Sequence, residues 1–467
     1  MQFTTKLGVC LAVFFCQTAW GQPTKKLNAL WSSFENDSQL QYGIAGMCVL
    51  DTATGAILFE RNAKMGLTPA STQKVLTSIA AYEALGKQFR YGTRLGYEGQ
   101  LKGDTLVGDL LVAGSGDPSL GSPRYGGTKP DVVLAAWAAA VKKLGLSHIS
   151  GALVAAESHF DLNPLPDAWT WSDMGNYYGA GAFGLNWKEN QYDLFFDTKN
   201  PGTKAQISRN TAAPSAKNTI NQVVAGSAGT GDGSVIFAAP YGNTALIQGK
   251  LEPQSTGFSV SGASTAPDAG LLADLKQQLA TAGVTMPDSA RLLTPLQFSA
   301  NQQAVPVLGQ PFYTHDSPPL DSLIYWFMKK SINLYGEALL RTIGQKTMGF
   351  GSNDAGLKWV DSFYAAMGID KRALHLTDGS GLSGNNRIAP LAMATALNYA
   401  RTRPWFSGFY HSFPVYNGMT IKSGTIHRTK CFAGYHGKYV VVLMVNNYNG
   451  STSALVSKMF AVLNGLK

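Results

Sequence analysis

The chain is poor in cysteine: only four of its 467 residues are cysteines, and two of these, Cys10 and Cys16, lie in the N-terminal segment. Neither a cysteine cluster nor a His-Glu-x-x-His sequence is present, so we expect no metal and no other cofactor. The remaining pair, Cys48 and Cys431, falls in two predicted strands, and a disulfide would need their Cα atoms within about 7 Å. We expect another strand to separate them, which predicts two reduced, buried thiols.

Three motifs that mark other functional classes are missing. There is no Gly-x-Ser-x-Gly elbow, which argues against an α/β-hydrolase. The glycine-rich stretch at residues 378–384 is not followed by Gly-Lys-Ser or Gly-Lys-Thr, so it is not a phosphate-binding loop, and we interpret it as a backbone wall near a cleft. Lysine and arginine form no dense block with interleaved aromatic residues, so we expect no nucleic-acid binding.

The chain carries an excess of positive charge. Lysine and arginine number 38 against 29 aspartate and glutamate residues, which gives a formal net charge of +9. A basic exported protein is drawn to anionic polymers or membrane surfaces, so peripheral association with the membrane or cell wall is one interpretation. General solubility is the other.

No apolar run of the sequence is long enough to span a bilayer, which takes ~20 residues. The N-terminus instead has the parts of a secretory signal: Lys6 as a basic region, an apolar stretch at residues 7–16, and a small-x-small cleavage site at residues 19–21. We therefore predict that residues 1–21 are a signal peptide removed on export to the periplasm. A retained signal anchor is the alternative.

The most informative motif is Ser71-Thr72-Gln73-Lys74, which begins a predicted helix over residues 71–85. Positions three apart share one helix face, so the Ser71 hydroxyl and the Lys74 amine can touch. A serine in the first turn is also close to free backbone N–H groups and to the positive end of the helix dipole. Ser71 is the only serine of the chain with a lysine three residues later. This geometry suits a nucleophile.

Two later triads complete a catalytic set: Ser331-Ile332-Asn333 in a predicted inter-helix loop and Lys422-Ser423-Gly424 on a predicted strand. Lys74 can remove the serine proton only when neutral, and burial or a second cation such as Lys422 lowers a lysine pKa towards ~7–8. In this interpretation Ser331 relays a proton between the leaving amine and the lysines. Asn333 orients a substrate amide, and the backbone N–H groups of Ser71 and Thr425 form an oxyanion hole.

The first triad is separated from the other two by about 250 residues, which is longer than most whole domains. If the three triads form one site, the intervening segment must be an insertion. The pattern of residues 200–265 predicts short β-strands. Residues 130–144 are predicted to form a helix, because their apolar side chains recur at an approximately helical spacing: Val132, Leu134, Ala135, Trp137 and Val141. A strand at residues 149–155 follows, so we expect a small αβ unit nested in a β-rich insertion.

The three triads in this order and context resemble the low-molecular-mass class C penicillin-binding proteins, the D-alanyl-D-alanine carboxypeptidase/endopeptidases of penicillin-binding protein 4 type. The resemblance covers nearly the whole mature chain. Further stretches that carry it are Gly108-Asp-Leu110, Gly114-Ser-Gly-Asp-Pro118, Trp169-Thr-Trp-Ser-Asp173, Ser317-Pro-Pro-Leu320, Asn333-Leu-Tyr-Gly-Glu337 and Asp378-Gly-Ser-Gly-Leu-Ser383. The large insertion after the first motif is typical of this family, and class A β-lactamases lack it.

The resemblance implies an α+β fold. Its catalytic domain would be a penicilloyl-serine transferase (β-lactamase/transpeptidase-like) domain, in which helices flank a five-stranded antiparallel sheet. We assign residues 22–90 and 298–467 to this catalytic domain and residues 91–122 and 175–297 to the β-rich insertion. The small αβ subdomain takes residues 123–174. In the implied fold the strand at residues 439–446 separates the two cysteine strands.

The resemblance also implies acylation of Ser71 by peptidoglycan stem peptides ending in D-Ala-D-Ala, release of D-alanine, and hydrolysis by water, with D,D-crosslink cleavage as a further activity. β-Lactams would acylate the same serine. The catalytic residues would be Ser71, Lys74, Ser331 and Lys422. The substrate would be bound by Asn333, Ser423, Gly424 and Thr425. A β-lactamase and a non-catalytic peptidoglycan-binding or sensor protein are the alternatives.

The sequence departs from the family pattern in three places. The third motif is Lys-Ser-Gly instead of Lys-Thr-Gly, but Ser423 keeps a hydroxyl that can bind the substrate carboxylate. Ile332 stands where a polar residue is usual. Residues 413–418 run almost directly into the third motif, which shortens the connection and predicts a different rim for the site.

Overall fold

The computed structural model describes residues 21–157, 160–212, 218–253, 257–293 and 309–467, so all but the last residue of the predicted signal peptide lies outside the description. Within these ranges no helix combines the length and the apolar composition that crossing a membrane requires.

The α-helices are numbered α1 to α11 in chain order. They are Gly21–Glu35, Lys74–Leu85, Pro130–Lys143, Trp171–Met174, Pro267–Thr281, Leu320–Lys329, Asn333–Met348, Asn353–Ala366, Pro390–Ala400, Phe406–His411 and Thr452–Leu463.

The strands are numbered β1 to β20 in the same way. They are Ile44–Asp51, Ile57–Arg61, Gly92–Lys102, Thr105–Gly114, His148–Ile149, Leu153–Glu157, Gln191–Asp197, Gln206–Asn210, Asn218–Ala225, Asp232–Phe237, Thr244–Leu251, Phe258–Ala263, Ala290–Leu293, Gln310–Asp316, Leu374–His375, Arg387–Ile388, Val415–Tyr416, Met419–Ile426, Thr429–His436 and Tyr439–Asn446.

The main sheet is antiparallel throughout and has the strand order β17-β18-β19-β20-β1-β2. Its five long strands are those that the family resemblance implies. The two-residue β17 adds a sixth strand at one edge, because the short connection at residues 413–418 folds back on β18 as a hairpin. β20 lies between the strands that carry Cys48 and Cys431, and both thiols are free and buried, which confirms the prediction.

Helices cover both faces of the main sheet. On one face, Trp31 of α1 and Met459 of α11 share a buried cluster with Met47 of β1 and Leu443 of β20. On the other face, a larger cluster joins α2, α6, α7, α8 and α9 to the opposite side chains of the same strands. A fully buried side chain of this size stabilises the fold by about 1.5–3 kcal/mol. The predicted helix-flanked α+β domain is therefore observed.

The inserted segment forms two further bodies of sheet. One is a mixed sheet of order β13-β6-β4-β3-β14, with β5 beside β4, and its buried face packs against α3 and α5. The other consists of two three-stranded sheets, β12-β7-β8 and β10-β11-β9, which share one apolar cluster. In β7 the alternation of Tyr192, Leu194 and Phe196 places the apolar side chains inward, as a two-residue period requires.

The mixed sheet crosses two of the predicted boundaries. Its strand β6, assigned to the nested unit at residues 123–174, pairs with β4 of the neighbouring insertion segment and with β13. Its edge strand β14, assigned to the catalytic segment, pairs with β3. The αβ unit therefore shares its sheet with flanking segments. The exact domain boundaries stay a prediction.

Two local expectations in the αβ unit are corrected. The strand expected at residues 149–155 is divided into β5 and β6 around Ser150, Gly151 and Ala152. On α3, Val132 and Ala135 are exposed, while Val133 and Ala138 are buried with Leu134, Trp137 and Val141. Residues 133, 134, 137, 138 and 141 follow the 3.6-residue period of one helix face, and residue 132 falls off it.

Candidate active site

Ser71 lies in a tight turn that leads into α2. The structure forms a 3-10 turn over Ala70–Gln73, and the α-helix itself begins at Lys74, three residues later than expected. Ala70 has φ +47°, a left-handed conformation that is uncommon for residues other than glycine. A Cβ on Gly381 would lie 2.1 Å from the Ala70 carbonyl oxygen, so the glycine-rich loop packs directly on this turn. Such strain often accompanies functional sites.

Lys74 is buried beside the Ser71 hydroxyl. Its Nζ donates to Ser71 Oγ at 3.0 Å, to Asn333 Oδ1 at 2.6 Å and to the Ser380 carbonyl oxygen at 2.7 Å. Burial lowers the pKa of Lys74 to about 7, although the charges of Asp378 and Glu337 act in the opposite direction. Burial and the nearby Asp378 raise the pKa of Glu337 to about 8, so this counter-charge is weak near neutrality. A large fraction of Lys74 is therefore neutral at pH 7.

Ser331 and Lys422 form a second serine–lysine pair. Lys422 Nζ donates to Ser331 Oγ at 3.0 Å and to the Ser423 carbonyl oxygen at 2.8 Å. Burial, together with the positive charge of Lys74, holds the pKa of Lys422 well below its ordinary value. Ser331 has φ +58°, so this loop serine is also held in a left-handed conformation.

Strand β18 lies directly against the turn that carries Ser71. A Cβ on Gly424 would come within 2.8 Å of the Ser71 backbone nitrogen and 2.6 Å of the Pro69 carbonyl oxygen. Only glycine permits this approach without a shift of one backbone. Gly424 therefore fixes the distance between the third motif and the first.

Asn333 connects the first motif to the inserted segment. Its Oδ1 accepts from Lys74, and its Nδ2 donates to the Tyr178 carbonyl oxygen at 2.8 Å. Because the Tyr178 carbonyl can only accept a hydrogen bond, the Asn333 NH2 group must face it, and the amide oxygen then faces Lys74. Tyr178 lies in the insertion, between α4 and β7, so the insertion helps to orient a side chain of the site.

A cleft of about 480 Å³ opens above these residues. Four of the predicted site residues line it: Ser71, Ser331, Asn333 and Thr425. The inserted segment supplies one wall with side chains that the sequence did not identify: Arg124, Asp173, Tyr177, Tyr178 and Gln191. Asp173 stands in a stretch that carried the family resemblance, but nothing in its local pattern places it at the cleft.

Arg124 is held in the cleft wall by a buried carboxylate. Its Nε and Nη2 donate to the two oxygens of Glu189 at 2.8 and 3.0 Å, and the hydroxyl of Tyr335 on α7 donates to the same carboxylate. The Arg124 side chain stays about one quarter exposed, whereas the Glu189 side chain is nearly covered. The paired charges leave the guanidinium in a fixed position at the cleft.

The loop at residues 378–384 forms a backbone wall of the cleft, as predicted. The Asp378 carboxylate accepts from Trp169 Nε1 at 3.0 Å, from Gln73 Nε2 at 2.9 Å, and from backbone N–H groups of the loop itself. This buried network ties the loop to the helix that carries Lys74. The Ser380 carbonyl that receives the Lys74 hydrogen bond, and Leu382 in the cleft wall, are positioned in this way.

One predicted site residue is placed differently from its expected role. The Ser423 hydroxyl donates to the Tyr416 hydroxyl at 3.3 Å, and Ser423 is not among the residues that line the cleft. By the two-residue period of β18, Ser423 shares its face with Thr425, but its hydroxyl is paired with Tyr416 of the neighbouring edge strand β17. Ile332, the apolar residue in the second motif, does line the cleft and is largely buried.

The assembled site places the half-buried Ser71 hydroxyl beside a buried amine whose pKa is about 7, with a second serine–lysine pair close by. Such an arrangement can activate a serine for attack on a carbonyl and return a proton to a leaving group.

Comparisons with known proteins agree with this geometry. Residues 27–438 match the D-Ala-D-Ala carboxypeptidase 3 (S13) family. The D-alanyl-D-alanine carboxypeptidase of Actinomadura sp. strain R39 is 29% identical over 459 residues, which covers 91% of this chain and 82% of that protein.

Two crystal structures of penicillin binding protein 4 from Haemophilus influenzae share the fold. The first has a TM-score of 0.79 at 25% identity and covers 93% of this chain and 98% of the other. The second, complexed with a β-lactam, has a TM-score of 0.73 at 24% identity and covers 94% and 98% of the two chains. These matches confirm the resemblance drawn from the motifs. The chain therefore belongs to the D-Ala-D-Ala carboxypeptidase 3 (S13) family and is of the penicillin-binding protein 4 type.

Proposed function

We infer that the protein is a serine-type D-alanyl-D-alanine carboxypeptidase that acts on peptidoglycan stem peptides through an acyl-enzyme on Ser71. The contact between Ser71 Oγ and the buried Lys74 Nζ carries this proposal, because it pairs a cleft hydroxyl with a base that is substantially neutral at physiological pH. A serine hydroxyl needs such a partner to become a useful nucleophile.

In the acylation step, Ser71 Oγ attacks the carbonyl carbon of the penultimate D-alanine while neutral Lys74 takes the hydroxyl proton. The N–H groups of Ser71 and Thr425 are the proposed donors to the oxyanion, and losing one such donor typically costs about 3–4 kcal/mol of transition-state stabilisation. The C–N bond then breaks. Ser331 gives its proton to the leaving nitrogen and takes a replacement from Lys422. Lys422 recovers that proton from the Lys74 ammonium, so Lys74 is neutral again when D-alanine departs.

In the deacylation step, water attacks the ester carbonyl, Lys74 accepts a proton from it, and the Ser71 oxygen leaves with a proton restored. The Asn333 amide, fixed between Lys74 and the Tyr178 carbonyl, borders the cleft where the stem peptide would lie. Thr425 is the proposed hydroxyl for the terminal carboxylate. β-Lactams, which present a strained amide beside a carboxylate, would acylate the same serine.

We also propose that the enzyme works in the periplasm, because its proposed substrate is peptidoglycan, which lies outside the cytoplasmic membrane. The Actinomadura relative and the matching family are both named as D-alanyl-D-alanine carboxypeptidases, and this supports D-Ala-D-Ala stem peptides as the substrate.

The test is to incubate the purified protein with defined muropeptides and to identify the products by mass. We expect loss of one alanine from a pentapeptide stem, and loss of this activity in Ser71→Ala. Ser78→Ala is the matched control, because Ser78 is a buried serine on the same helix whose hydroxyl has no partner in the described part of the chain.

Two outcomes would contradict the proposal, and a third would extend it. Binding of muropeptide without alanine release would indicate a non-catalytic protein, and penicillin turnover within seconds would indicate a β-lactamase. Cleavage of a crosslinked dimer would add endopeptidase activity to the carboxypeptidase.

A further inference from the structure

Lys430 lies behind the cleft hydroxyl of Thr425. The two residues face each other across the β18–β19 pair, and Lys430 Nζ donates to Thr425 Oγ1 at 2.8 Å. Thr425 is exposed and lines the cleft next to Ser71. Lys430 itself is only partly exposed. The ammonium therefore reaches the cleft through the threonine hydroxyl.

This contact leaves the Thr425 hydroxyl with a proton to donate. A hydroxyl has one O–H donor and two acceptor lone pairs, and an ammonium group can only donate. Because the oxygen already accepts from Lys430, its own O–H is available for an acceptor in the cleft. A neighbouring positive charge strengthens such a hydrogen bond when the acceptor is an anion.

Within the described ranges of the chain, the Lys430 ammonium is in no ion pair. Its Nζ lies 5.0 Å from the centre of the Phe432 ring. Burial lowers the pKa of Lys430, as expected for a cation without an anionic partner. Lys330 adds a second cation to the cleft wall. Arg124 and Lys330 outnumber Asp173 among the described lining residues, so the cleft, with Lys430 behind Thr425, favours a negatively charged group.

We propose that Lys430, acting with the Thr425 hydroxyl, is a specificity-determining residue that selects ligands carrying a free carboxylate next to the reacting amide. The inference rests on the proposed function, since it concerns the same acylation of Ser71. Lys430 holds the hydroxyl oxygen and supplies the charge, and the Thr425 proton reaches the carboxylate. A ligand whose carboxylate is esterified loses its negative charge, so its carbonyl oxygen accepts only a weaker, neutral hydrogen bond from Thr425.

The test compares acylation by benzylpenicillin with acylation by its methyl ester. Acylation is monitored by the mass of the intact protein, and the measured quantity is the ratio of the two second-order rate constants. We expect Lys430→Met to lower the wild-type preference for the carboxylate at least about tenfold, which corresponds to one lost charge-assisted hydrogen bond. Lys430→Arg, which keeps a cationic donor, is expected to retain most of the preference.

A double-mutant cycle tests whether Lys430 acts through Thr425. If it does, adding Lys430→Met to Thr425→Val causes little further loss of carboxylate preference, since the two changes remove one interaction. Tyr42→Ala, an exposed aromatic outside the cleft, is the control for general effects and is expected to leave both rates unchanged.

An unchanged carboxylate-to-ester ratio in Lys430→Met would overturn the proposal, and so would an equal fall in both rates. If the losses of carboxylate preference caused by the two substitutions add fully, Lys430 does not act through Thr425. If neither compound acylates the wild-type protein, the proposed function itself fails, and that result is distinguishable from a protein that acylates without preference.

Discussion

At the scale of single residues, the pKa of Lys74 decides how the site responds to pH. Lys74 must be neutral to accept the Ser71 proton, and burial lowers its pKa to about 7. The neutral fraction therefore rises with pH through neutrality. We expect the rate of acylation by a fluorescent penicillin to rise about fivefold from pH 6 to 7 and less than about twofold from pH 7 to 8.

A lysine with its ordinary pKa would behave differently in this measurement. The rate would then continue to climb about tenfold per pH unit between pH 7 and 9, since the neutral fraction would still be small. A profile of that kind would contradict the assignment of Lys74 as a base with a depressed pKa.

The sequence predicted the reactive side chains because their spacing carries the chemistry. A serine and a lysine three residues apart must share a helix face, and two later triads supply the remaining groups. It could not predict that Ala70 takes a positive φ, since contacts with the distant Gly381 and Gly424 impose this conformation. Arg124, Tyr178 and Lys430 were missed for a similar reason: no local pattern shows which remote side chains meet at a cleft.

At the scale of elements, the approach of β18 to the Ser71 turn is set by Gly424. Its Cα faces backbone atoms, which cannot move aside as a flexible side chain can. Gly424→Ala must therefore push the strand away from the turn and misplace Lys422 and Thr425. We expect penicillin acylation to slow by at least about a hundredfold, because a misplacement of about 1 Å is enough for that loss.

Gly126→Ala is the matched control for this substitution, since a Cβ at Gly126 meets nothing within 4 Å. Circular dichroism and thermal unfolding of both variants establish that they are folded. Acylation of Gly424→Ala at close to the wild-type rate would show that the strand can relax without disturbing the site.

The elements themselves were predictable where the pattern is local. β20 is a run of buried apolar residues, and α3 begins with a proline at its first position, so both were found close to their observed bounds. The sheet membership of β6 and β14 was not predictable, because pairing between strands far apart in sequence leaves no mark in either strand alone.

At the scale of the whole molecule, a buried ion pair ties the insertion to the helix that carries Asn333. Arg341 on α7 is almost fully buried and donates to Asp161 at 2.6 Å and to the Asn163 carbonyl oxygen. Asp161→Ala leaves the buried guanidinium without its charged partner. We expect the free energy of unfolding, measured in urea, to fall by about 2 kcal/mol.

Asp288→Ala is the control, because the Asp288 side chain is fully exposed in its pair with Lys276. Exposed pairs of this kind contribute little, so no measurable change is expected. Equal effects of the two substitutions would show that the contact between α7 and the segment around Asp161 does not stabilise the molecule.

The family resemblance predicted the helix-flanked sheet of the catalytic part, and the separation of the motifs predicted an insertion. It did not predict that the insertion would form one wall of the cleft and fix the Asn333 amide through Tyr178. These contacts depend on how the inserted segment packs against the catalytic part.

The most direct measurement is the mass of the protein after exposure to benzylpenicillin, with the modified peptide then sequenced. The wild-type protein should gain one penicilloyl group on the peptide that contains Ser71, and Ser71→Ala should gain none while Ser78→Ala remains fully modified. A penicilloyl group on any other residue, or persistent labelling of Ser71→Ala, would contradict the account.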